Sequence, residues 1–288
     1  MSTTDLVISL QTFHDHLVTK RRAKATIIAY TKDIEQLTLF LSHMGKKQAT
    51  EVNKDELEAF LTKLASDNYT PKSVSRKINS IKTFFRHLKS QGHISVDPAS
   101  DIEHPKYEIK PPRILSKIEY RALRDACRAD IRTYAIVELF LQTGIRIGEL
   151  TNLSMGDVGE STLHIATQEG HEERTVPLNK AAKEALNRYL EIRMGTKDKS
   201  TPLFITKSGK GLLIRNIRTA IDRYFRAAGI EDAKVNDLRH TFIAHHLMSG
   251  TPITTLSKLV GHKRLSTTEK YLDFIKDKQL GSMKLEEL

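Results

Sequence analysis

Cysteine is nearly missing from this chain. Cys127 stands alone, so no internal disulfide can form, and a single thiol suits a reducing compartment. Long apolar runs are missing too: the longest fall far short of the roughly 20 residues that cross a bilayer. The opening residues MSTTDLVISL carry an acid, Asp5, and no basic segment, so they do not read as a secretory signal. These absences set the expectation of a cytoplasmic protein with no membrane partner. Acids are scarce as well, with 35 Asp and Glu against 46 Lys and Arg, a net charge of +11. Such a surface attracts polyanions, nucleic acid first and anionic membrane next. The 288 residues, 39% hydrophobic and 28% charged, describe a globular protein with room for two ordinary domains.

The shortage of acids is steepest between Asp67 and Asp97, where none occurs. The first hundred residues lack alternating β-branched runs and contain repeated helix-start signals, among them Asn53 with Glu56 and Thr70 before Pro71. After Pro71, Val74, Ile78, Ile81, Phe85 and Leu88 recur at helical spacing on one face. Lys72, Arg76, Lys82, Arg86 and Lys89 lie on the other side with Ser75, Asn79 and Thr83. A solvated face usually mixes signs, whereas cations with small hydroxyls and amides grip phosphates. The five bases are therefore DNA-binding candidates, an ordinary solvated face being the alternative.

Residues 104–112 carry Pro105, Pro111 and Pro112 and alternate in charge, which predicts an extended linker between a helical domain at 1–103 and a second at 113–288. Ser116 and Glu119 form a capping box at the entrance to the second domain, with Leu115 as a hydrophobic staple. Residues 161–179, STLHIATQEGHEERTVPLN, read as a β-hairpin in otherwise helical surroundings. The predicted class is mainly α (α+β): an all-helical first domain, then a mostly helical one with a small antiparallel hairpin.

Three stretches of the second domain combine helical periodicity with cationic or hydrogen-bonding groups. In TGIRIGEL, Gly144 precedes Arg146, so the arginine opens a helix, and Glu149 follows one turn later to hold it. By itself that pair is an ordinary surface contact. VNDLRHTFIAHHL presents Asn236, Arg239 and His240 on an amphipathic helix. His240, His245 and His246 invite a metal reading, but HExxH is absent and no Cys or Asp completes a ligand set, so no metal is expected. In GHKRLSTTEKYLDF, Ser266 and Glu269 predict a capping box that puts Tyr271 near a helix N-terminus, where negative charge is favoured.

Together these stretches resemble the tyrosine recombinases, the phage integrase family. TGIRIGEL is similar to the family's first arginine box and LRHTF to its second. LVGHKRLSTTEKY matches its His-to-Tyr box, and RTVPL and PLFITKSGKG fall in the same order. The helical first domain resembles the core-binding domain of that family.

The resemblance implies that Tyr271 attacks a DNA phosphate to give a 3′-phosphotyrosine and a free 5′-hydroxyl. Arg146 and Arg239 would clamp the non-bridging oxygens, since Arg offers paired planar donors and keeps its charge. His262 would hydrogen-bond the phosphate or assist proton transfer, while His240 would be structural. No cofactor, metal or nucleotide is implied. The implied partners are double-stranded DNA with paired inverted core sites and a homotetramer assembled on it. The tail carrying Leu272, Phe274, Ile275, Leu280, Met283, Leu285 and Leu288 would dock on a neighbouring protomer, or else on its own domain. The compact layout favours a recombinase of the chromosome-dimer or transposon-resolving kind.

Two positions depart from the family pattern. Glu169 stands where a hairpin lysine protonates the leaving 5′-oxygen. A carboxylate about 4 Å from a phosphate would be repelled by roughly 4 kcal/mol, so His171 or Lys207 is expected to supply that proton. Asn236 replaces a His or Lys; it can donate a neutral hydrogen bond to a phosphate oxygen but exchanges no proton at pH 7.

Overall fold

The computed structural model describes residues 4–108, 110–168, 171–196 and 198–280, apart from the side chains of Phe274 and 276–280. Residues 1–109 and 110–288 form two compact units. The division falls within the stretch 104–112, where no helix or strand forms among the described residues. Each unit is described by itself.

The first unit is a set of four helices: α1 (Leu6–Thr19), α2 (Lys24–His43), α3 (Lys54–Ser66) and α4 (Pro71–Ser90). Their starts follow from local chemistry. Asp5 accepts from the Val7 and Ile8 amides, Asn53 and Glu56 cap each other's backbone, and Thr70 accepts from Ser73 just ahead of Pro71. Val74, Ile78, Ile81, Phe85 and Leu88 all face the core, with Phe13 and Phe84 meeting edge-on at 5.4 Å. Side chains of this size contribute about 1.5–3 kcal/mol each when fully buried. One charged group is buried with them. Asp33 on α2 accepts from Lys77 Nζ at 2.9 Å and Ser80 Oγ at 2.7 Å, and also from Arg76.

The second unit holds α5 (Lys117–Cys127), α6 (Ile131–Thr143), α7 (Ile147–Asn152), strands β1 (Thr162–Ile165) and β2 (Arg174–Pro177), then α8 (Lys180–Ile192), α9 (Ile214–Ala227), α10 (Val235–Met248), α11 (Ile253–Val260) and α12 (Ser266–Leu280). Ser116 and Glu119 form the predicted box, and the buried Leu115 donates its amide to Thr241 Oγ1 at 2.9 Å, anchoring the entry to α10. Helix α6 is apolar nearly all round, as a helix enclosed by α8 and α10 must be. The strands pair antiparallel with Leu163 opposite Val176 and Ile165 opposite Arg174. Gln168 and His171 exchange backbone hydrogen bonds at the hairpin end; Glu169 and Gly170 lie outside the described residues.

The class is mainly α (α+β), as expected, with a single two-stranded sheet among the described residues. Among these residues no helix is long and apolar enough to cross a membrane. Of the tail, Ile275 is buried within its own unit against the cluster of Phe242, Leu256, Val260 and Tyr271. The Phe274 and Leu280 side chains, and Met283, Leu285 and Leu288, lie outside the described residues.

Candidate active site

The site is organised by the C-terminal end of α11. The helix stops at Gly261, whose φ of +66° is left-handed and free of strain only for glycine. Gly261 N–H bonds to the Lys258 carbonyl and His262 N–H reaches back to Ser257, the double closure of a Schellman motif. This closure leaves the last carbonyls of the helix without intrahelical donors, at the negative end of the helix dipole. Three guanidiniums take them in succession. Arg174 Nε donates to Leu259 O at 2.8 Å, Arg239 Nη2 to Val260 O at 2.7 Å, and Arg146 Nη2 to Gly261 O at 2.6 Å. A Cβ at Gly261 would sit 2.8 Å from Arg174 Nη1 and 3.2 Å from Arg146 Nη1, so glycine is required there for space as well as conformation.

Glu149 ties the same arginines from the other side. Its carboxylate accepts two bonds from Arg174, at 2.9 and 2.8 Å, one from Arg146 Nη1 at 2.8 Å, and one from the Arg146 amide at 2.9 Å. Burial pushes this carboxyl up, but the hydrogen bonds from Arg174 and Arg146 and their charges outweigh it and bring it to about 2. Arg239 also donates to the Gly144 carbonyl. Gly144 is left-handed, and a Cβ there would meet the Phe242 ring at 2.5 Å, so the TG turn is what lets α6 end against α10. Burial first, then the Arg146 charge, lower Arg239 to about 9, which leaves it charged at neutral pH. One carboxylate against three guanidiniums leaves two positive charges unmatched.

His262 and Tyr271 complete the cluster, their rings stacked with centroids 6.4 Å apart. His262 Nδ1 bonds to the fully buried Thr268 Oγ1 at 2.7 Å, so Nε2 is the nitrogen left for a ligand. Burial, then the charges of Arg239, Arg146 and Arg174, depress His262 to about 3, and the ring is neutral. Tyr271 is 7% exposed, and its hydroxyl lies 2.6 Å from His240 Nδ1. Burial raises this phenol, against the opposing pull of Arg239 and Arg146. His262, Gly261 and Arg174 line a cavity shared with His171, Glu172, Glu173, Lys258 and Lys263. Excess positive charge, a neutral imidazole and a phenol in one cluster can hold a tetrahedral anion while an oxygen nucleophile attacks it.

Arg146, Arg239, His262 and Tyr271 are thus brought together. Asn236 is not tied into the cluster: it is exposed one turn before Arg239 and makes no side-chain hydrogen bond among the described residues. Lys207 lines a different cavity, exposed beside Thr206 and Arg132 near the start of α6. His171 lies in the cavity beside Arg174 and His262, with its Nδ1 buried and without a partner among the described residues. The capping box expected at Ser266 does not form. Glu269 N–H bonds to the Leu265 carbonyl, so Ser266 is already helical and Tyr271 lies in the second turn of α12. A helix dipole acts within its first turn, so the phenol's electrostatic partners are the arginines. On α4, Lys72, Arg86 and Lys89 are exposed and unpaired among the described residues, Arg76 pairs with Asp33, and Lys82 donates to Ser100 O at 3.1 Å.

Two residues of the cluster escape sequence reasoning. Arg174 shares the inward face of β2 with the buried Val176; an arginine on the core side of a strand needs a carboxylate, and that alternation was a readable signal. Thr268 carries no such signal, since TT in a polar loop looks solvated.

The family comparisons agree with this geometry. Residues 113–277 match the model of the phage integrase family, and residues 10–92 match that of the phage integrase N-terminal SAM-like domain. The chain is 32% identical to the tyrosine recombinase XerC of Thermodesulfovibrio yellowstonii over 90% of its own length and 89% of that protein's. It is 27% identical to the XerD of Rickettsia bellii, with 88% and 90% covered. The crystal structure of XerA recombinase superposes with a TM-score of 0.54 at 26% identity, covering 97% of this chain and 99% of that one. A lambda integrase dimer bound to a core site gives 0.76 at 18% identity, covering 99% and 80%, and shares the fold. The chain belongs to the phage integrase family and is an enzyme of the tyrosine recombinase class.

Proposed function

We propose that this recombinase cleaves and rejoins DNA strands through a 3′-phosphotyrosine on Tyr271 and a Holliday junction, as a homotetramer on paired inverted core sites. The observation that carries the reading is the use of three successive carbonyls at the end of α11, Leu259 to Gly261, to gather three guanidiniums in one cluster with His262 and the Tyr271 phenol. Arg146 and Arg239 clamp the non-bridging oxygens, where the pentavalent transition state gathers negative charge. Arg174 does not need to touch DNA, since it locks Glu149 and thereby Arg146. His262 donates from Nε2 to the same phosphate. Cleavage keeps the bond energy in the phosphotyrosine, so a partner strand's 5′-hydroxyl can reseal it. Solved lambda integrase structures include a tetramer bound to a Holliday junction, which supports the proposed assembly.

The leaving 5′-oxygen takes its proton from His171, which lines the cavity and which a bound phosphate charges against the burial and the Arg146 charge that otherwise lower it. The exposed Lys72, Arg86 and Lys89 of α4, with Arg76 and Lys82 turned partly inward, contact phosphates, and Asn236 adds a neutral donor. The protein works in the cytoplasm.

The test is a duplex nicked beside the cleavage position, so that the small product diffuses away and the covalent intermediate accumulates. A denaturation-resistant adduct that disappears in Tyr271→Phe is the expected result. Specific binding without an adduct would instead support a relative that occupies recombination sites without cutting, a reading that the carboxylate Glu169 favours. Relaxation of plasmids lacking any preferred site would point to topoisomerase-like activity.

A further inference from the structure

The family resemblance implies a structural role for His240, yet its Nδ1 lies 2.6 Å from the Tyr271 hydroxyl. A buried phenolic O–H requires an acceptor, and His240 Nδ1 is its hydrogen-bond partner among the described residues. The hydroxyl therefore donates, Nδ1 accepts, and the ring carries its own hydrogen on Nε2. From this geometry, and resting on the reading of Tyr271 as nucleophile, we infer that His240 is a catalytic residue: the base that takes the phenolic proton during cleavage and returns it during religation.

The other groups of the cluster are unsuited to that task. Glu149 is saturated by Arg146 and Arg174. His262 has Nδ1 engaged by Thr268 and only stacks on the phenol ring. Burial lowers His240, Asp237 opposes that and Arg239 adds to it, so the ring is neutral and able to accept at neutral pH. The charged and titratable groups around it are Asp237 and Arg239 on α10, His262 after α11, and Tyr271 on α12. The step balances as follows. The Tyr271 oxygen bonds to phosphorus as its proton passes to His240 Nδ1, and the P–O5′ bond breaks with its electron pair on O5′. That oxygen takes a proton from His171 or water. In religation the 5′-oxygen attacks phosphorus as its proton passes back to His171 or water, the bond from phosphorus to the Tyr271 oxygen breaks, and His240 returns its proton to the departing phenolate.

The test measures the rate of adduct formation by the full chain on the nicked duplex. His240→Asn keeps a hydrogen-bonding group but removes the base, and should slow the reaction by about 100-fold or more. Replacing Tyr271 with a fluorinated tyrosine, whose phenol is more acidic, should restore most of that loss while changing the parent little. The parent's rate should climb with pH through mild acid, and the Asn variant should lack that rise. Duplex binding by the variant certifies its fold, and His240→Gln serves if the Asn variant fails to bind. An Asn or Gln variant as fast as the parent overturns the inference, as does a loss of equal size with ordinary and fluorinated tyrosine, which marks a packing role. A parent without any adduct, or an adduct surviving Tyr271→Phe, identifies the nucleophile assignment as the error instead.

Discussion

Each unit has a buried carboxylate that pairs with two cations, Asp33 in the first and Glu149 in the second, both with side chains only 3% exposed. Around Asp33 the balance is nearly closed. Lys77 is buried with it, Ser80 fills a second position, and Arg76 reaches in from a position 45% exposed to solvent. Around Glu149 the balance is deliberately unequal, because Arg239 brings a third guanidinium that the carboxylate does not touch and that only carbonyls satisfy. A buried ion pair adds little net stability, since desolvation offsets attraction. The Asp33 cluster joins α2 to α4 and stops there. The Glu149 cluster holds surplus charge beside a cavity, a state that helix-end carbonyls sustain and an incoming phosphate would relieve.

The largest contrast comes from removing the two acids. Glu149→Ala should abolish adduct formation and cost about 3–5 kcal/mol in denaturant unfolding, because it strands buried guanidiniums. Asp33→Ala should cost a similar amount of stability, yet leave the adduct rate at saturating protein nearly unchanged. Equal loss of chemistry in both would erase the distinction. Next in size, Arg146→Lys keeps the charge but loses the fork that spans Glu149 and Gly261 O, and should lower the adduct rate about 10²–10³-fold with little change in stability. The comparison sharpens further at two left-handed glycines. Gly45 has open space where a Cβ would go, whereas at Gly261 it meets Arg174. Gly45→Ala should cost about 1–2 kcal/mol from conformation alone; Gly261→Ala should cost more and slow the adduct step too.

Acid offers a subtler comparison, since each unit holds a depressed histidine. Burial, then the charges of His16 and His93, lower His87 to about 4, and His262 falls to about 3. Above pH 6.5 both are neutral whether folded or unfolded and contribute nothing. Below it the unfolded chain binds protons that the folded chain refuses, so stability falls down to about pH 4 for His87 and about pH 3 for His262. His87→Leu should flatten the first part of that decline in urea titrations across pH, and bound duplex should relieve only the His262 part. The smallest effects belong to α4. Lys72→Ala, Arg86→Ala and Lys89→Ala should each lower the salt slope of binding by about 0.9. Lys82→Ala should change it less, because its ammonium is shared with Ser100 O.

Much of this was legible in one dimension. Caps at Asn53, Thr70 and Ser116, the hairpin strands and the apolar stripe of α4 rest on interactions spanning a few residues, and local spacing reports them faithfully. Arg146 with Glu149 was legible for the same reason. Lys207 lines a different cavity from His171, a separation that the order of motifs does not report. The box at Ser266 failed because the helix found a backbone acceptor one residue earlier, at Leu265, which propensity cannot foresee.

The amino-acid order by itself determined the helices, the two-unit division, the family and the identity of the four groups that converge, because each follows from contacts within a turn or from motifs at short range. Only the tertiary structure decided that Arg174 completes the arginine set, that the carbonyls of Leu259, Val260 and Gly261 at the end of α11 hold it, and that His240 holds the phenol. Those contacts span between 21 and 115 residues of chain. At such separations geometry is set by how buried faces pack, and a linear pattern carries no record of it.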